Sequence, residues 1–258
     1  MVRILVTGAG GQLGQTLQNN AQKFTVFSFD FKLSNELDVT EPAQLFDVFK
    51  QGQYDFCINC AAYTNVEEAE KQPQKAMNVN AEGAKQLAEV CKMHGTTLIH
   101  ISTDYVFDGK KKAGYTVADK TNPINVYGKS KLAGEKFIQQ IQPNHYIIRT
   151  SWLYSKKYGH NFYRAIVRKA LAGEDLNITD AQKGCPTNAE SLAKFILNEI
   201  VLGEKPFGIY HFTDGKPMTW YDFAKQILNE NGLTDKVNLV LEPNYRTLAK
   251  RPKNSVLE

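Results

Sequence analysis

Tyr127 and Lys131 stand four residues apart in Tyr127-Gly128-Lys129-Ser130-Lys131. On a helix that spacing brings a phenol and an ammonium to one face. A free tyrosine has a pKa of about 10, so only about one part in a thousand is ionised at neutral pH. A cation held beside it stabilises the phenolate and makes proton exchange with a carbonyl or alcohol oxygen practical. Y-x-x-x-K alone is common on solvated helices. Its weight rises because Ser102-Thr103-Asp104 closes an apolar run upstream and would bring a hydroxyl to a strand end, where parallel sheets bind their ligands.

A second pattern opens the chain. Gly8, Gly11 and Gly14 form G-x-x-G-x-x-G directly after the apolar run 2–7. Glycine permits a tight turn with no Cβ between backbone and ligand, and a following helix offers free N–H groups and a positive dipole end to a pyrophosphate. Asp30 closes the next β-rich run, where an acid hydrogen-bonds an adenosine ribose. A carboxylate there favours NADH over NADPH, while Lys32 close by keeps NADPH open. Asp38-Val39 is placed to meet the adenine edge, or Asp38 only prepares a helix start at Thr40. Small residues in Asn59-Cys60-Ala61-Ala62 would let a dinucleotide lie across the sheet edge.

These motifs need a frame. Runs 2–7, 24–30, 54–62, 97–102 and 145–150 predict strands, apolar almost throughout and so covered on both faces. Between them 12–20, a segment starting at Thr40-Glu41-Pro42, 76–93 and 126–141 predict helices, with Thr40 as cap and Pro42 in the first turn. The alternation implies an α/β, Rossmann-type doubly wound parallel sheet over 1–150. Beyond Trp152 the rhythm changes: helical segments near 162–171, 189–202 and 221–231, with a short strand at 209–212, predict a smaller substrate-binding lobe over 151–258. Part of 172–203 is open to returning to the sheet.

Composition excludes other classes. At 258 residues and 42% hydrophobic content the chain can bury a core without disulfides or metal. The net charge of +4 is dispersed, and Lys110-Lys111-Lys112 is too short to argue for nucleic acid. No membrane span is predicted. Cys57 and Cys60 form C-x-x-C inside a strand, where odd spacing sends the thiols to opposite faces, so neither zinc nor a redox pair is expected. With no signal-peptide pattern at the N-terminus, the reading is cytoplasmic.

Taken together, the residues resemble an extended short-chain dehydrogenase/reductase. Ser102-Thr103-Asp104-Tyr105-Val106-Phe107-Asp108-Gly109, residues 125–135, Arg149-Thr150-Ser151-Trp152-Leu153-Tyr154 and Arg251-Pro252-Lys253-Asn254-Ser255 are similar to the dTDP-4-dehydrorhamnose reductase family across essentially the whole chain. The resemblance implies that Thr103 polarises a C4 carbonyl, that Tyr127 is the general acid, and that Lys131 holds the nicotinamide ribose and tunes Tyr127. It implies pyrophosphate contacts at Gly11, Gln12 and Leu13, and adenosine contacts at Asp30, Asp38 and Val39. Ala62, Tyr63 and Thr64 match further cofactor positions. Asp104 and Trp152 match sugar-nucleotide contacts, with Tyr105 a weaker candidate.

Two departures stand out. Glu190 matches a carboxylate of metal-linked dimers in the family, but Thr16 stands where another would, so no metal bridge is expected and a homodimer is left open. The chain also ends soon after Ser255, where relatives continue into a helix, which predicts an exposed apolar patch. Rival readings are a reductase of another nucleotide-linked 4-keto-6-deoxy sugar, a non-catalytic partner of methionine adenosyltransferase on the same scaffold, and a sugar-nucleotide epimerase or dehydratase.

Overall fold

Every second residue of the central strands points to the same face, and two separate cores result. In β1 (Val2–Thr7), Ile4 and Val6 join one core while Leu5 joins the other. A computed structural model describes residues 1–203 and 205–258. Its elements run α1 (Gln12–Ala21), β2 (Phe27–Lys32), α2 (Pro42–Gly52), β3 (Phe56–Asn59), α3 (Val66–Lys71), α4 (Pro73–Met77), α5 (Gly83–His94), β4 (Thr97–Thr103), α6 (Val126–Ile141) and β5 (His145–Thr150). Then follow β6 (Leu153–Tyr154), α7 (Phe162–Leu171), β7 (Leu176–Ile178), β8 (Lys183–Gly184), β9 (Thr187–Asn188), α8 (Ala189–Lys194), β10 (Gly208–His211), β11 (Met218–Thr219), α9 (Trp220–Glu230) and β12 (Leu239–Leu241).

The main sheet is six-stranded in the order β10-β5-β4-β3-β1-β2, every pair parallel. β2 and β3 flank β1, so the strand order reverses there, and a crevice opens at the carboxyl ends of β1 and β3. Leu5, Cys57, Leu98 and Ile147 pack beneath residues of α2, α5 and α6. Ile4, Val6, Ile58, Ile99 and Ile148 pack beneath α1 and α8. Cys57 and Cys60 accordingly belong to opposite faces.

A third core, with Ile166, Phe223 and Ile227 among its buried residues, joins α7 to α9 and the β7–β12 pair. The second half of the chain is divided between the two bodies. The helix begun by α8 continues as a π turn over Phe195–Val201 and lies on the α1 face of the sheet, and β10 pairs with β5.

Several local expectations are corrected. Thr40 does not cap α2: the preceding residue is Glu41, without a capping bond, and the Thr40 hydroxyl donates to Asp38 at 2.8 Å. β2 runs two residues past Asp30 to Lys32. The helix expected over 76–93 starts at Pro73 and carries a π turn at Asn78–Glu82. The last residues pack inward: Val256 and Leu257 are buried, and Leu257 joins a cluster with Phe107 and Tyr115. Among the described residues, no helix is long and apolar enough to cross a membrane.

Candidate active site

The start of α6 is fastened before any chemistry is asked of it. Asn125 accepts from Gly128 N at 2.7 Å and donates to Lys250 O at 2.8 Å, while Glu70 accepts from Val126 N at 2.9 Å. Tyr127, Lys131 and Glu135 then follow at four-residue steps along one face. Thr103, the last residue of β4, and Tyr127 and Lys131 line the same cleft of ≈ 610 Å³. Gly10, Gly11, Gln12 and Leu13 line it too, with Ala62, Thr64, Asp104 and Trp152. Chain segments separated by over a hundred residues thus meet at one crevice.

The glycine turn is built for close approach. Gly8 has φ +63°, and a Cβ there would lie 2.5 Å from Ala61 N. A Cβ on Gly14 would meet Ala9 Cα at 2.6 Å, so α1 can press onto the turn only with glycine. No side chain caps α1, whose first N–H groups remain available to an anion. The uncapped helix start, the glycines in the cleft wall and the open span to Lys131 suit a dinucleotide.

Not every expected contact enters the cleft by its side chain. Gln12 Oε1 accepts from Ser155 N at 3.0 Å and Asn161 Nδ2 at 2.8 Å, so it clasps the loop before α7. Asp30 accepts from the Tyr54 hydroxyl and pairs with Lys32 at 3.0 Å; burial pushes the Tyr54 phenol up. Asp38 accepts from the N–H and hydroxyl of Thr40. Val39 is buried in the core beneath α2. Tyr63 is held by Asn80, which accepts from its N–H at 2.8 Å and donates to its carbonyl at 3.0 Å. Glu190 lies 3.8 Å from Lys23, and the Thr16 hydroxyl donates to Gln12 O. Arg149 forms a buried ion pair with Glu135 at 2.7 Å and takes no part in the cleft.

Burial sets the electrostatics. It pushes the Tyr127 phenol well above its usual range, with the Thr103 hydroxyl pulling the other way. It brings Lys131 down to about 8, against the attraction of Glu135. It lifts the Asp104 carboxyl to about 6, restrained by the Ser255, Thr103 and Ser151 hydroxyls. Asp104 Oδ2 is buried without a hydrogen-bond partner. Lys131 Nζ is spent on Ile101 O at 2.7 Å and lies 3.0 Å from His100 Nε2.

Sequence reading missed Trp220. It stacks on Trp152 with ring centroids 3.5 Å apart and planes 6° from parallel. Trp152 has φ +48°, a strained conformation for a bulky residue; the stack and the bare Gly184 beside it hold it there. No local pattern could have paired residues 152 and 220. His100 was also passed over, although a histidine inside the buried run Leu98-Ile99-His100-Ile101 is itself a signal.

A parallel nucleotide-binding sheet that gathers a Thr, a Tyr and a Lys at its carboxyl edge defines an oxidoreductase of the short-chain dehydrogenase/reductase class. Within that class, the chain belongs to the dTDP-4-dehydrorhamnose reductase family. The family described as RmlD substrate binding domain matches residues 2–258. A dTDP-4-dehydrorhamnose reductase of Aggregatibacter actinomycetemcomitans is 39% identical over 272 residues, covering 100% of this chain and 91% of that protein. The spore coat polysaccharide biosynthesis protein SpsK of Bacillus subtilis is 36% identical, covering 100% and 89%. The crystal structure of dTDP-4-dehydrorhamnose reductase from Bacillus anthracis in complex with NADP superposes with TM-score 0.94 at 35% identity, covering 100% and 91%.

Proposed function

We propose that this chain reduces the C4 ketone of dTDP-4-dehydro-L-rhamnose to give dTDP-L-rhamnose, with NADH or NADPH as reductant. The observation that carries the reading is that Thr103, Tyr127 and Lys131 line one cleft with the glycine turn. A bound nicotinamide dinucleotide supplies the hydride. Gly8, Gly11, Gly14 and the N–H groups of Gln12 and Leu13 would hold its pyrophosphate. Asp30, Asp38 and Val39 would border the adenosine, and Ala62, Tyr63 and Thr64 the next stretch. The NADP complex of a 35% identical relative supports this cofactor class. Asp30 is already compensated by Lys32 and Tyr54, which supports use of either dinucleotide.

Thr103 would donate to the ketone oxygen and Tyr127 would deliver the proton as the alkoxide forms. A buried phenol is protonated at neutral pH, and remains a far stronger acid than the product alcohol. Lys131 would orient the nicotinamide ribose and steady Tyr127 after proton loss. Asp104 and the Trp152–Trp220 stack would position the sugar. A second cavity of ≈ 510 Å³ shares Phe162, Trp220 and Arg251 with the first and offers room for the nucleotide end. We read residues 1–150 as the dinucleotide domain and the α7–α9 body as the substrate lobe. We also read the protein as cytoplasmic, in keeping with the absence of any membrane-crossing helix among the described residues.

The test follows NADH and NADPH absorbance with and without dTDP-4-dehydro-L-rhamnose. Ketone-dependent loss of reduced cofactor is expected. Dinucleotide binding without turnover would favour a regulatory subunit and overturn the reading.

A further inference from the structure

Thr7, Asn59, His100 and Lys131 form a buried polar line from β1 to α6, each at most 3% exposed. Ala61 N donates to Asn59 Oδ1 at 3.1 Å, and the Thr7 hydroxyl donates to the same oxygen at 2.8 Å. A backbone N–H can only donate, so Asn59 is fixed with its Nδ2 toward His100. Nδ2 lies 3.0 Å from His100 Nδ1, and an amide nitrogen can only donate as well. His100 therefore accepts at Nδ1 and carries its proton on Nε2. Burial, followed by the charge of Lys131, holds this ring far below the usual histidine range, so it is neutral.

Nε2 lies 3.0 Å from Lys131 Nζ. An ammonium has three donors and no acceptor, so a charged Lys131 would meet the histidine donor to donor. An amine would accept from Nε2–H while donating to Ile101 O at 2.7 Å. We propose that His100, locked in this tautomer by Asn59, opposes the charging of Lys131 until a dinucleotide is seated, and thereby couples cofactor binding to uptake of one proton from solvent. Ribose hydroxyls and the Tyr127 oxygen then supply the acceptors that the ammonium lacks against His100. His100 is a positioning residue that acts through Lys131.

The other titratable groups around Lys131 are Tyr127 and Glu135 on α6 and Cys60 after β3. Tyr127 and Cys60 are kept neutral by burial. The attraction of Glu135 opposes the effect, and burial outweighs it.

The inference rests on the reductase reading of the cleft, but its tests need no turnover. Nitrogen NMR of 15N-histidine-labelled, dinucleotide-free protein should place the His100 proton on Nε2. In Asn59→Asp the second carboxylate oxygen accepts from the ring, and the proton should move to Nδ1. A wild-type ring protonated on Nδ1 would overturn the inference. Calorimetric titration with NADH at pH 8, in buffers of different ionisation enthalpy, should show uptake of about half a proton, given a Lys131 pKa of about 8. In His100→Gln, whose amide oxygen can accept from the ammonium, and in Asn59→Asp, uptake should fall below the wild-type value, because the donor opposing the ammonium is gone while the burial of Lys131 remains. Asn59→Asp carries the comparison if His100→Gln does not fold. Wild-type uptake that persists in the folded variants sinks the inference alone. A wild-type protein that binds neither NADH nor NADPH overturns the reductase reading and this inference with it.

Discussion

Replacing Asp104 by asparagine is expected to stabilise the protein at neutral pH while impairing turnover. The carboxyl is 2% exposed, accepts from the Thr103 hydroxyl at 3.0 Å through Oδ1, and leaves Oδ2 without a partner. Burial lifts it from 3.8 to about 6, and at about 1.4 kcal/mol per pKa unit its charge costs about 3 kcal/mol of folding stability at pH 7. Because the folded-state value is the higher one, the folded protein binds more protons between pH 4 and 6. The cost is full above pH 6 and is relieved as the pH falls through that window. At pH 5 roughly half of it remains, so the stability gap between Asp104→Asn and wild type should shrink by about 1 kcal/mol from pH 7 to pH 5. Any fixed difference between amide and acid hydrogen bonding cancels in that comparison. Urea unfolding at both pH values, followed by tryptophan fluorescence, measures it. A gap of equal size at pH 5 and pH 7 would refute the reasoning, and undiminished turnover would remove Asp104 from the substrate site.

Other perturbations separate chemistry from scaffold. Tyr127→Phe should lower kcat by about 10²- to 10⁴-fold with little change in KM, as expected for loss of a general acid; an undiminished rate would displace Tyr127 from that role. Gly14→Ala should abolish dinucleotide binding, because the added Cβ would lie 2.6 Å from Ala9 Cα and 2.7 Å from Gly8 O, both backbone atoms; unchanged NADH affinity in a calorimeter would contradict this. Glu135→Gln should destabilise by about 3–5 kcal/mol by leaving Arg149 buried and uncompensated, read from thermal or urea unfolding. Gln12→Ala frees the 155–161 loop from the glycine turn, so limited proteolysis should cut that loop faster than in wild type.

Periodic patterns were readable because they are local. The four-residue step from Tyr127 to Lys131, the glycine spacing at 8, 11 and 14, and the apolar runs of the strands depend only on helix and strand geometry. From these followed the parallel sheet, the glycine turn and the Thr103–Tyr127–Lys131 set. Strand ends were less secure, as at Asp30, because a run's last residues are decided by what they pair with. What the tertiary structure alone decided is how polar side chains were shared. Asp30 is taken by Tyr54 and Lys32, Gln12 by the loop before α7, Arg149 by Glu135, and Lys131 by His100 and Ile101. Likewise Trp152 met Trp220, and the helix from Ala189 returned to the sheet. Such partners lie far apart along the chain and become neighbours only through strand order, and burial then forces each polar group to find an available match.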